Sequence, residues 1–216
     1  MTATTLLFLL ASPLACGPGA PYPHTGEPGT ADPRFETLYR SGREFADFLE
    51  TARRRRELWV RNYDEGEVPE DLVARARSLE GRWRLLAIAE DWCSDSVNTI
   101  PFLALLAESS DAIDLRVVDS AAAREIMDAY RTPDDRTATP TVLVLDRDHT
   151  EVGCWVERPS KLQTWAIEIR PTLEDEEFLT RKMAWYENDA GRSTIREVLE
   201  RIEAAASGSR ICPAGP

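Results

Sequence analysis

Apolar residues recur at helical spacing from Phe35 to about Asn62, at Leu38, Phe45, Phe48, Leu49, Ala52 and Trp59, with the run Arg53 to Arg56 interrupting them. Pro69 suits the first turn of a second helix carrying Leu72, Val73, Ala76 and Leu79, which Gly81 would end. Two helices are therefore predicted ahead of any sheet. Trp83 to Ala89 is a short apolar run suited to a buried strand, and it stops at Glu90-Asp91. A helix is predicted from about Ser94 to Ala107, kinked at the internal Pro101. Ile113, Leu115 and Val117 alternate with polar residues as a second strand, followed by a helix through Ile126 and Tyr130. Thr141 to Leu145 and Glu151 to Glu157 read as a hairpin, and Pro159-Ser160 opens a helix to about Ile169. Residues 174–205 read as a helical appendix broken at 188–191, with Thr194 and Glu197 at capping-box spacing.

Proline usage sets the outer limits. Pro13, Pro18, Pro21, Pro23, Pro28 and Pro33 fall ahead of the first periodic segment, which places the start of the folded part near Phe35. Residues 4–15 are apolar but too short for a bilayer-spanning helix, which takes about 20 residues. They read as a signal-peptide core. Ala15-Cys16 followed by a Gly/Pro-rich stretch resembles the end of a bacterial lipoprotein signal, making Cys16 the candidate lipidation residue. No Lys or Arg precedes the apolar run, so a simple secretory signal or a mis-assigned start codon are the alternatives. The expected organisation is a signal peptide over 1–15, a tether over 16–34, one domain over 35–206 and a flexible tail over 207–216. The expected location is the cell envelope, exported and tethered through lipidated Cys16, or else the cytoplasm if the leader is an artefact.

With 216 residues, one core with added helices is the default. A net charge of −12 argues against a nucleic-acid partner. His24 and His149 are the two histidines, and the four cysteines at 16, 93, 154 and 212 show neither a CxxC pair nor zinc-ligand spacing. No metal and no cofactor are expected. The arginine run reads as a solvated face paired with Glu50 and Glu57, an anion site being the alternative.

Asp91-Trp92-Cys93-Ser94-Asp95-Ser96, then Pro101, then Thr139-Pro140-Thr141, resembles the thioredoxin superfamily. More narrowly, EDWCSDS and WYENDAGRSTIREVLE resemble a group of bacterial thioredoxin-like proteins. The resemblance implies an α/β thioredoxin-like fold, a β-α-β-α-β-β-α core with N-terminal helices and a C-terminal helical extension. It also implies a cis-proline at Pro140, with Thr139 presenting its backbone to an extended peptide.

A thiol at a helix N-terminus faces unsatisfied N–H groups, which favour the attacking thiolate, so Cys93 is the candidate nucleophile. Trp92, Asp95, Ser96, Thr139 and Pro140 are the supporting residues. Ser96 stands where the resemblance places a second cysteine, so only a monothiol route is open, with Ser96 as a hydrogen-bond donor to the thiolate. Glu90, Asp91 and Asp95 oppose the thiolate by charge. The expected partner is a protein or a small thiol or disulfide. The competing expectation is a binding module that keeps the groove near Pro140 without turnover. Cys154 is expected as a small buried hydrophobe, and Cys212 as a mobile tail residue, a Cys154–Cys212 or Cys93–Cys212 bridge being conceivable in an oxidising compartment. Trp92 is expected at the surface, and Trp155, Trp165 and Trp185 in packing roles.

Overall fold

The computed structural model describes residues 31–212. The expected signal peptide and Cys16 lie outside the described residues. Four short helices precede the sheet rather than two: α1 (Pro33–Ser41), α2 (Phe45–Thr51), α3 (Arg56–Asp64) and α4 (Glu70–Arg77). Asp32 caps the first by accepting the Arg34 N–H, and Pro33 fills the first turn, so helix begins just inside the stretch read as tether. The long segment expected up to Asn62 is cut twice, at Gly42 and at Ala52–Arg55, where the chain leaves helical geometry and Arg55 takes a left-handed φ of 54°.

The sheet has β1 (Trp83–Ile88), β2 (Ile113–Val118), β3 (Thr141–Leu145) and β4 (Glu151–Val156) in the order β2-β1-β3-β4. β1 runs parallel to β2 and antiparallel to β3, and β3 and β4 form the antiparallel hairpin. Side chains of a strand alternate between faces, so each central strand feeds two cores. Leu85, Ala87, Leu115, Val117, Val142 and Val144 pack under the face covered by α2, α3 and α4. Leu86, Ile88, Val118, Leu143 and Leu145 pack on the other against Phe35 and Tyr39 of α1 and Ile126 and Tyr130. Each fully buried aliphatic side chain contributes roughly 1.5–3 kcal/mol.

The helix after β1 differs from the expectation. A short 3-10 turn (Ser96–Asn98) is followed by a break at Thr99 and then α5 (Ile100–Glu108), so Pro101 sits in a first turn rather than kinking an interior. A first-turn proline gives up no intrahelical bond, which removes the reason for a kink. α6 (Arg124–Ala129) connects β2 to β3.

After β4 come α7 (Ser160–Ile169), α8 (Asp175–Asp189) and α9 (Arg192–Ala206). The helix that closes the core is α9: Ile195, Val198, Leu199 and Ile202 are buried in the first core, and α9 packs on β4 and α5. α7 and α8 form an excursion in which the Trp165 and Phe178 rings stack at 5.4 Å. The break between α8 and α9 uses left-handed Ala190 and Gly191, and a Cβ on Gly191 would stand 2.1 Å from the Phe102 ring. The expected capping box does not form. Glu197 instead accepts from Trp155 Nε1 and the Ser160 N–H, both at 2.9 Å, and Asp189 receives the Ser193 N–H.

Residues 210–212, within the stretch 207–216 expected as flexible tail, lie on β4. Ile211 pairs with Gly153, its carbonyl accepts the Cys154 N–H at 3.0 Å, and Cys154 and Cys212 form a disulfide. Cys154 is therefore a covalent anchor and not the free buried hydrophobe expected. The tail's Ser/Gly/Pro composition gave no sign of the edge of β4 as a docking site. Among the described residues, no helix is long and apolar enough to cross a membrane.

Candidate active site

β1 ends at Ile88, and the chain turns through Glu90 to Asp95 before helical geometry resumes. The turn is fixed by backbone bonds: the Cys93 N–H donates to Glu90 O and the Val97 N–H to Cys93 O, each at 3.1 Å. Cys93 thus heads a helical turn, as the sequence predicts. Its sulfur is placed between two segments distant in sequence. The Ser96 backbone N–H points to Sγ at 3.4 Å, and the thiol donates to the Thr139 carbonyl at 3.1 Å. The Thr139-Pro140 bond is cis, as the resemblance implied. Cys93 is 7% exposed, whereas Trp92 beside it is 52% exposed, the surface aromatic expected.

Ser96 corrects one expectation. Its contribution to the sulfur comes from the backbone N–H, and its hydroxyl is buried without a partner. The 3-10 turn carries the side chain into the protein while leaving the amide facing Cys93.

The three carboxylates expected to oppose a thiolate are each met by donors. Glu90 accepts from the amide and hydroxyl of Ser120. Asp91 accepts the backbone N–H groups of Arg53 and Arg54 at 2.8 and 3.0 Å. Burial pushes the Asp91 carboxyl up, but the Arg54 and Arg53 amides outweigh it and hold the group below its usual range. Asp95 is buried and receives Lys182 Nζ and the Tyr186 hydroxyl, both at 2.8 Å, with Arg158 Nε at 3.6 Å. Burial, then the charge of Asp95, raises the Tyr186 hydroxyl well above its ordinary value, keeping it a donor. Lys182 also reaches Ser94 Oγ at 2.8 Å.

This buried network continues. Arg158 pairs with Glu157, which takes Arg136 at 2.9 Å, while the Glu157 N–H donates to Pro140 O at 2.7 Å. The same charged cluster therefore touches both sides of the thiol: the turn that carries Cys93 and the cis-proline that faces it. Lys182, Tyr186 and Arg158 were not singled out by sequence reasoning. Lys182 and Tyr186 stand 87 and 91 positions from Asp95, and no spacing rule links residues so far apart.

The arginine run is also corrected. Arg53 to Arg56 make no ion pair with Glu50, Glu57 or any other carboxylate among the described residues. Pairing at that spacing needs a continuous helix, and the chain leaves helix between α2 and α3. Arg55 instead donates to Trp92 O at 2.8 Å, and Trp59 Nε1 to Asp91 O at 3.0 Å, which fastens α3 to the Cys93 turn. Among the described residues, no group of three or more His, Cys, Asp or Glu is placed to hold a metal ion.

Comparison with known proteins agrees with this fold. A family model described as "Thioredoxin" matches residues 42–174. A protein of unknown function from Pseudomonas aeruginosa is 24% identical, with 82% of this chain and 99% of its own covered and a TM-score of 0.64. An HIV epitope scaffold is 24% identical, with 78% of this chain and 97% of its own covered and a TM-score of 0.61. These two likenesses concern the fold alone. No curated protein matches the chain.

Proposed function

Because the chain belongs to the thioredoxin family, we propose that Cys93 is the nucleophile of a monothiol disulfide exchange with a protein or small-molecule disulfide. The observation that carries this reading is the seat of the sulfur, between the Ser96 N–H and the carbonyl that precedes a cis-proline. An N–H aimed at sulfur favours the thiolate, and the cis Thr139-Pro140 segment beside it is the family's place for an extended peptide.

The thiolate attacks one sulfur of the substrate disulfide. A Cys93 Sγ–S bond forms, the substrate S–S bond breaks, and the leaving thiolate takes the electron pair and a proton from water. Ser96 cannot resolve the product, and Cys154 and Cys212 are committed to each other. An external thiol must attack the mixed disulfide to return Cys93 to its reduced form. The second reading, a binding module without turnover, is favoured by the burial of Cys93.

Trapping separates the two. Wild-type protein incubated with a peptide disulfide should give a mixed disulfide, seen by intact mass, that Cys93→Ser does not. Ser96→Cys should shorten the lifetime of that species by on the order of tenfold, by supplying the resolving thiol. A wild-type chain that captures nothing above the Cys93→Ser background leaves the binding module as the reading. The DWCxDS grouping with bacterial relatives, export, and lipidation at Cys16 belong to the same proposal; fatty-acid labelling lost in Cys16→Ser supports the anchor, and an unlabelled parent removes it.

A further inference from the structure

Three of the arginines of the run at 53–56, none of them ion-paired, gather with Arg61 at one place. Arg53, Arg55, Arg56 and Arg61 line an open cleft of about 750 Å3 between α3 and α8. Glu57 and Glu187 also line it, but Glu187 already faces Arg61 at 3.6 Å, which leaves Glu57 as the one lining carboxylate set against the other three guanidinium groups; Asp91, outside the lining, is taken up by the Arg53 and Arg54 backbone N–H groups. In a chain of net charge −12 this is a local reversal of sign.

The placement works against stability. Arg55 and Arg56 stand at the first positions of α3, where the helix macrodipole is positive and acidic residues are preferred. Like charges gathered at that end raise the potential of the cleft and make it attractive to anions. The side chains are also not all spent on structure. Arg56 bonds the Leu49 carbonyl and Arg55 the Trp92 carbonyl, each with donors to spare, and Arg53 has no hydrogen bond or ion pair from its side chain among the described residues.

The cleft is tied to the Cys93 turn, since Arg55, which lines it, donates to the carbonyl of Trp92, the residue before Cys93, and the Trp92 ring is exposed. We propose that this cleft docks an acidic segment of a partner protein, so that a cysteine a few residues away along the extended partner is delivered to Cys93 and the cis-proline edge. The acidic partner class rests on the exchange reading of Cys93, but the docking step does not require the chemistry to occur. An extended chain advances about 3.3 Å per residue, so each added position between carboxylate and cysteine lengthens the partner's reach by that step.

The test uses the full chain carrying Cys93→Ser, which removes exchange and leaves docking. Anisotropy is read with a rhodamine-labelled peptide rich in aspartate around one serine, beside the same peptide with every aspartate changed to asparagine. The acidic peptide should bind about tenfold more tightly at low salt, and the preference should fall as salt is raised. Adding Arg53→Glu should abolish the preference, and Arg53→Gln should weaken it. Arg147→Gln, a change in the turn between β3 and β4 at the far end of the sheet, should leave it intact. Circular dichroism confirms that each variant is folded. Equal affinity for the two peptides, or a preference that survives Arg53→Glu in the folded protein, overturns the proposal. Failure of mixed-disulfide trapping in the wild type with docking retained overturns the exchange reading alone.

Discussion

Cys93 and Cys154 lie in the same sheet-centred domain and are both buried, yet they are held in opposite ways. Cys154 is fixed covalently, joined to Cys212 across 58 positions, with the Ile211 backbone laid along β4. Cys93 is fixed by hydrogen bonds and charge: an amide and a carbonyl at the sulfur, and behind them Asp95, Lys182, Tyr186 and Arg158. The first arrangement consumes a thiol to secure a chain end. The second secures the surroundings and leaves the thiol unspent.

The comparison breaks most sharply at Asp95. Asp95→Ala leaves Lys182 buried without its counter-charge and Arg158 with Glu157 alone, a loss of about 3–5 kcal/mol in folding free energy by urea titration. A loss below about 1 kcal/mol would mean that Glu157 and water take over the charge. Cys212→Ser should cost about 2–4 kcal/mol, through the loop that the disulfide closes, and the parent treated with reductant should unfold at the same midpoint as the variant. If reduction leaves the midpoint unchanged, the staple is not what secures the β4 edge.

Smaller effects sharpen the contrast. Asp91, held low by the Arg54 and Arg53 amides, contributes stability that is present above its unfolded value near pH 3.9 and is lost as pH falls through the lower folded value. Asp91→Asn should therefore lose about 1 kcal/mol at neutral pH, with the difference from the parent shrinking in acid. A difference that is constant with pH excludes this ionisation as the cause. Trp92→Ala should change stability by less than about 0.5 kcal/mol, since the ring is largely exposed, while slowing capture of peptide disulfides. An equal capture rate removes Trp92 from the docking surface.

What could be read ahead of the structure divides along the same line. Strand alternation and the runs from Trp83 and Thr141 carry the sheet, because a period of two is written locally. The Cys93 turn and the Thr139-Pro140 pair were legible because each motif is contiguous. The network around Asp95 was not, because it joins residues from four places in the chain through burial, which no local pattern records. The helix boundaries before β1 were missed for a related reason: Phe45 and Phe48 of α2 and Trp59 of α3 share one core although they lie on two helices, so their spacing imitated a single amphipathic segment. The same blindness applied to the helix that closes the core. α7 followed the hairpin in sequence, but Ile195, Val198, Leu199 and Ile202 fill the space on the sheet.

The match to the family model ends at residue 174, near the start of α8. An expression fragment trimmed to that limit would lose α9, baring Trp155 and the apolar face under β4, and would strip Lys182 and Tyr186 from Asp95. The segment that the family model recognises is thus shorter than the packed unit, and the remainder carries both a wall of the interior and the counter-charges of the Cys93 turn.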